Sequence, residues 1–217
     1  GYGLQMNGNV ALAGIPNVTL TANALNVSYN RLGRNISNLV VPTGGEDYAL
    51  NLVDNETRIS GEMALNIADV FAVSGNLSIE SRTGAQSISR TLTDGSSVSL
   101  DQLIIGGENI SARIGTGTVG AELYDTDFAV VISSEVGGSR QWLTTVADVG
   151  DAAFQGYATA DIQSASLAIN GALTEDGLSL DPSDPVIKWG GTTSTSQNLP
   201  VALSPSQSLT LAPDSLQ

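Results

Sequence analysis

Alternation of apolar and small polar residues, carried through segment after segment, is what most limits the folds open to this chain. Met63, Leu65 and Ile67, then Phe71, Val73, Leu77 and Ile79, stand at every second position. A period of two marks a β-strand with one apolar face, and no window sustains a helical period over three turns. Gly61 and Gly75 keep the same phase. A missing side chain there lets another backbone or a bulky neighbour approach, which predicts a bulge or bend, a groove floor for an extended ligand being the functional alternative.

The phrase recurs. Residues 18–23 align on 71–76, after which Leu25 and Val27 match Leu77 and Ile79 only with a slip of one residue. Such a slip is what a bulge or shortened turn produces. Leu167 and Ile169 give a third, looser copy. Strands are expected over residues 4–13, 17–29, 36–41, 48–53, 58–67, 70–80, 87–93, 97–105, 110–114, 119–124, 128–133, 141–147, 157–170 and 178–180. Gly, Pro, Asn and Asp clusters punctuate them. The fold class is therefore all-β: an elongated, solenoid-like or narrow β-sandwich repeat with terminal strands available to neighbouring units, or alternatively two Ig-like sandwiches. The core is expected to contain Val18, Leu20, Leu25, Val27, Met63, Leu65, Phe71, Val73, Leu77, Ile79, Phe128, Val130, Leu167 and Ile169.

Residues 1–180 read as a repetitive β domain and 181–217 as a Pro/Ser/Thr-rich boundary segment or inter-unit strand. Five of the seven prolines fall after residue 180. The closing Leu216-Gln217 repeats Leu4-Gln5, and Ser208-Leu-Thr-Leu resembles Asn17-Val-Thr-Leu. With no initiator Met or signal peptide at the start, the chain reads as a processed form or a period cut from an array.

Charge and composition exclude whole classes of function. The formal net charge is −14, with seven Arg and one Lys (Lys188). Nucleic acid and anionic lipid headgroups would be repelled. Cys and His are both absent, which removes disulfides, thiolate nucleophiles, imidazole bases and nearly all zinc or copper sites. Asp125 with Asp127, and Asp148 with Asp151 or Asp181 with Asp184, could share a cation, yet none brings the further ligands and turn glycine of a calcium loop. Solvated acidic turns are the expected reading. A glycosidase needs only two carboxylates, but its cleft is ordinarily lined with aromatics, and the chain has two tryptophans, Trp142 and Trp189. No catalytic residues and no cofactor are expected, weakly bound calcium aside, and the chain does not read as an enzyme.

Both tryptophans fit core plugging. For Trp189 the functional alternative is docking on the next unit, and the alternating Leu199, Val201, Leu203, Leu209 and Leu211 of the tail are the other expected inter-unit contacts. Asn-x-Ser/Thr sequons at Asn17, Asn26, Asn35, Asn55, Asn76 and Asn109 admit a surface glycan on solvent-facing positions. No apolar run approaches the length of a membrane-spanning helix.

The phrases Ile59-Ser-Gly-Glu-Met-Ala-Leu-Asn-Ile, Leu103-Ile-Ile-Gly-Gly-Glu-Asn-Ile-Ser-Ala-Arg-Ile-Gly and Ala121-Glu-Leu-Tyr-Asp-Thr-Asp-Phe-Ala-Val-Val-Ile-Ser resemble the tandem repeats of very large secreted bacterial repeat proteins. The resemblance covers most of residues 4–180. It implies an extracellular or cell-surface location and a surface-fibre or adhesin-stalk role, with copies of itself or adjacent repeats as partners. Some such repeats carry an acidic, calcium-loop-like insert before the stretch matching residues 121–133, where this chain has Gly115-Thr-Gly-Thr-Val-Gly. The competing class is an extracellular module binding carbohydrate or another ligand.

Overall fold

The structure is a computed structural model that describes residues 1–12, 18–68, 70–116, 119–156, 160–175, 177, 179–189, 200–202 and 208–210. Its strands are β1 (Gly3–Leu12), β2 (Val18–Asn30), β3 (Ile36–Val41), β4 (Tyr48–Leu52), β5 (Glu56–Ile67), β6 (Phe71–Arg82), β7 (Ile88–Thr91) and β8 (Ser97–Thr116). They continue as β9 (Val119–Glu135), β10 (Gln141–Gln155), β11 (Ala160–Ile162), β12 (Ala165–Leu173), β13 (Leu180–Asp181), β14 (Pro200–Ala202) and β15 (Ser208–Thr210). One antiparallel sheet runs β1-β2-β5-β6-β8-β9-β10-β12-β13, with β7 added beside β8 and β11 beside β10. β3 with β4, and β14 with β15, form separate hairpins. The all-β expectation is met by one large sheet that does not close into a barrel, and not by two separate sandwiches.

Ladder register turns the alternation into two distinct faces. Met6, Val27, Ile59, Ile79, Ile105, Val130, Thr145 and Ile169 are successive cross-strand partners across eight strands. A parallel row runs Leu12, Leu20, Leu65, Val73, Ala112, Leu123 and Ala152. The opposite face presents rows such as Ser28, Arg58, Glu80 and Ser60, Ser78, Gly106. Side chains of paired residues leave the sheet on the same side, so one face is aliphatic and the other largely hydroxyl, amide and charge.

Three bulges keep that division intact along strands of up to 20 residues. Ala24 in β2, Asn109 in β8 and Asp125 in β9 have φ of 50°, 51° and 47°, each beside an interruption of register. An extra residue flips the phase of alternation. Val18, Leu20 and Ala22 therefore face the same way as Leu25, Val27 and Tyr29, although the two sets differ in parity. The predicted one-residue slip after Asn23 is this bulge. The same flips explain why β8 and β9 each read as two strands in sequence, split at 105–110 and 124–128.

The phased glycines sit opposite the bulges. A Cβ on Gly61 would lie 3.0 Å from Leu25 Cα and 3.2 Å from the Asn23 carbonyl oxygen. One on Gly75 would lie 2.8 Å from the Asn109 carbonyl oxygen, at a φ of 143° that L-residues rarely adopt. The bend reading of both glycines is the one that the geometry supports.

The core is not where the alternation placed it. Its buried residues are Leu92, Val98, Leu100, Ile104, Ala129, Val131, Trp142, Ala172, Ile187 and Trp189. They lie at one end of the sheet, on the face that is polar elsewhere, beneath β7 and residues 185–189. Leu92 bridges to Ile187, Thr93 N–H donates to the Val186 carbonyl and Lys188 N–H to the Thr91 carbonyl, each at 2.9 Å. The fourteen residues expected in the core do share one face, but none is buried, and Ile79 and Leu167 are 40% and 50% exposed. Among the described residues, the elements outside the sheet that come near it are the β3–β4 hairpin, at β1 and β2, and the short β14, at β8.

Candidate assembly surfaces

The open apolar face is the largest chemically uniform feature of the molecule. Leu4, Met6, Val10, Ile67, Ile114 and Phe154 are exposed upon it. Among the described residues, and outside the bulges, the charged residues that take this phase are Asp101 and Arg31, both at its border, with the Arg31 guanidinium 5.1 Å from the Tyr29 ring centroid. Scattered exposed apolar residues are ordinary in soluble proteins, but a contiguous patch of this size marks an interaction surface.

The second surface is the sheet edge. Among the described residues β1 pairs with β2 alone, leaving its other edge without a ladder partner. The β3–β4 hairpin comes close to it without a ladder: Asn7 Nδ2 donates to the Tyr48 hydroxyl at 2.8 Å, and the backbone N–H of Asn51 to Gln5 Oε1 at 3.0 Å. At the far side, β12 is extended by a two-residue pairing with β13, which among the described residues leaves most of its length without a further partner. Unpaired N–H and C=O groups along an edge template the addition of another strand.

Residues 185–189 belong to the folded unit. Trp142 Nε1–H donates to the Pro185 carbonyl at 2.9 Å. Trp189 is 5% exposed, and its indole N–H donates to Thr144 Oγ1 at 3.0 Å. Thr144 in turn donates to Asn170 Oδ1 at 3.2 Å, and Asn170 Nδ2 donates to the Ile187 carbonyl at 2.8 Å. Both tryptophans plug this core, and the Trp189 side chain, the docking candidate, is committed to its own chain. Arg90 lies over its ring, 5.5 Å from the centroid, with burial and the neighbouring Arg82 lowering the guanidinium pKa. Leu199, Leu203 and Leu211 lie outside the described residues, and for Val201 and Leu209 only the strand backbone of β14 and β15 is described.

The carboxylates act as local caps. Asp127 Oδ1 accepts the bulge N–H of Asn109 at 2.9 Å, as Asn9 Oδ1 accepts that of Ala24 and Asn51 Oδ1 that of Asn38, both also at 2.9 Å. Asp181 Oδ1 accepts from Ser183 N–H at 2.9 Å and from its hydroxyl at 2.5 Å, which lowers the carboxyl pKa. Asp148 and Asp151 are exposed on β10. Among the described residues no group of three or more acidic side chains is placed to hold a metal ion. Sequon asparagines serve the same local purposes. Asn109 is a bulge residue, Asn35 Oδ1 accepts the Asp54 N–H at 2.8 Å, and Asn76 Nδ2 donates to Glu108 Oε2 at 3.4 Å. Asn17 lies outside the described residues.

Two shallow clefts offer little chemistry. One of about 280 Å³ is lined in part by Ser81, Asp101, Gln102 and Leu103, and its single carboxylate is hydrogen-bonded to the Ser87 hydroxyl. The other, of about 240 Å³, is lined by Thr19, Ala64, Ala72, Ser74 and similar small residues. Neither gathers an acid, a base and a nucleophile. Among the described residues no helix is long and apolar enough to cross a membrane. Comparison with protein-family models, with curated proteins and with solved structures finds no match.

The paired Asx caps on the bulges escaped sequence reading. A usable signal was present: a one-residue slip in apolar phase beside an Asn or Asp on the adjoining strand.

Proposed function

We propose that this chain is a structural, non-catalytic building block of an extracellular filament, surface fibre or adhesin stalk, joined end to end through its terminal strands. The observation that carries this reading is the edge of β1, ten residues long and, among the described residues, with a ladder partner on one side only. An incoming strand would gain backbone hydrogen bonds there, and alternate apolar side chains of the tail would meet the apolar face. Leu199, Val201, Leu203, Leu209 and Leu211 have the required spacing. A chain without His and Cys lacks imidazole bases and thiolate nucleophiles, which supports a non-catalytic role.

Electron microscopy of the full chain beside a form lacking residues 190–217 tests the proposal. Filaments or stalks that vanish on truncation are expected. A particle of unchanged size in both forms would favour the carbohydrate- or ligand-binding module instead. The cut belongs after Trp189, since residues 185–189 seal the core.

A further inference from the structure

We infer that the apolar face of the large sheet packs against the same face of a second copy of this chain, making a face-to-face double sheet. This contact involves the face and not the edge, and so stands or falls separately from end-to-end joining.

The first argument is area. Eight strands spaced about 4.8 Å apart, with apolar rows running some 12 residues at about 3.3 Å each, present roughly 1,500 Å². Two such faces would bury about 3,000 Å² together, beyond the roughly 2,000 Å² at which obligate homodimer interfaces begin. A lone sheet would leave all of this in water, where apolar burial would otherwise contribute about 25 cal/mol per Å².

The second argument is charge. The chain carries a formal −14, yet the charged strand residues Arg58, Glu62, Glu80, Glu108, Asp127 and Asp148 take the phase of the opposite face. Closing one apolar face on another therefore brings in no carboxylate but Asp101 at the border and desolvates no ion pair. An anionic lipid surface would meet the whole net charge with a single lysine to answer it. The described parts of the tail cover little of it: β14 comes close to β8, but β14 and β15 are three residues each, about 10 Å of strand, against rows several times longer. Twisted sheets of this kind stack about 10 Å apart with their strands within about 30° of alignment.

The chain has no native cysteine, so single cysteines report the geometry directly. Val73 lies on the apolar face near its middle, and Ser74 is the next residue, exposed on the other side. With a bis-maleimide matched to the ~10 Å sheet spacing, Val73→Cys is expected to cross-link into a dimer and Ser74→Cys to stay monomeric. In sedimentation at micromolar concentration, the form lacking residues 190–217, which has lost the tail that joins units end to end, is expected to run at twice its chain mass. Ile105→Lys or Thr145→Lys should halve that mass while circular dichroism still reports β structure. Either lysine variant retaining both the β spectrum and the dimer mass would overturn the inference. So would a truncated form that runs as a monomer, whether or not it co-floats with phosphatidylcholine vesicles, or cross-linking of Val73→Cys only after removal of residues 190–217. Equal cross-linking of both cysteine variants would overturn it as well.

Discussion

Asp127 Oδ1 accepts the backbone N–H of Asn109 at 2.9 Å, closing the gap that the β8 bulge opens in the ladder. Asp127 also stands directly opposite Asp148 in the β9–β10 register. Its carboxylate is useful as an acceptor and unfavourable as a charge. Asp127→Ala should therefore destabilise by about 0.5–1.5 kcal/mol, the usual net contribution of one hydrogen bond whose exposed donor can turn to water. Asp127→Asn, which keeps the acceptor and removes the like-charge neighbour, should be neutral or stabilising. Denaturant unfolding of the two variants separates these effects.

The position of the core makes a second prediction. Trp142 is 1% exposed and fills the sealed end of the sheet, so Trp142→Ala should cost about 3–5 kcal/mol. Val73 is half-buried on the open face, and Val73→Ala, measured in the monomeric Ile105→Lys background, should cost under about 1 kcal/mol. Thermal or denaturant unfolding that ranked them in reverse would place the core back on the apolar face.

Truncation should be abrupt. A chain ending after Trp189 keeps the bonds from Trp142 to Pro185 and from Trp189 to Thr144, and should unfold cooperatively. One ending after Asp184 uncovers Leu92, Trp142 and their neighbours at once. Limited proteolysis should find the first resistant and the second readily cleaved.

Glu56 gives a pH signature. Burial, followed by the charge of Glu80, raises its carboxyl pKa, while Arg58 and Arg82 pull the other way. Because the shift is upward, the ionised form costs folding free energy at every pH above the folded value. That cost shrinks as the pH falls through the folded value and is gone below the ordinary glutamate pKa, about 4.3. Glu56→Gln should therefore raise the Tm at neutral pH and lose its advantage in acid, as read from melting curves across pH.

The strand content was legible because period-two alternation is local. Residues 36–41 match β3 end for end, and 48–53 exceeds β4 by one residue. The phase of the apolar residues was legible too, as the row from Met6 to Ile169 attests. Burial was not, because alternation says which residues share a side but not whether anything lies over that side. Leu92, Leu100 and Ile187 become core through the approach of residues 185–189, a contact made across more than ninety positions. Trp189 shows the same limit: an aromatic in a proline-rich stretch looks like an anchor for a partner, and only the tertiary fold reveals that its pocket lies within the chain.

The bulges also decide where the chain tolerates a change in length. In β5, which has none, losing one residue such as Glu62 would exchange the aliphatic and polar sides of everything beyond it. In β2, removing Ala24 leaves Asn23 followed by Leu25 in simple alternation, and both halves keep their sides. Ala24 and Asn109, bulged against both neighbouring strands, thus behave like spare counts in a reading frame, which Asp125, in unbroken register with β10, does not. Single-residue deletions should be accepted at Ala24 and Asn109 and rejected a few positions away, giving the sheet a small set of places where its strands can shorten without turning inside out.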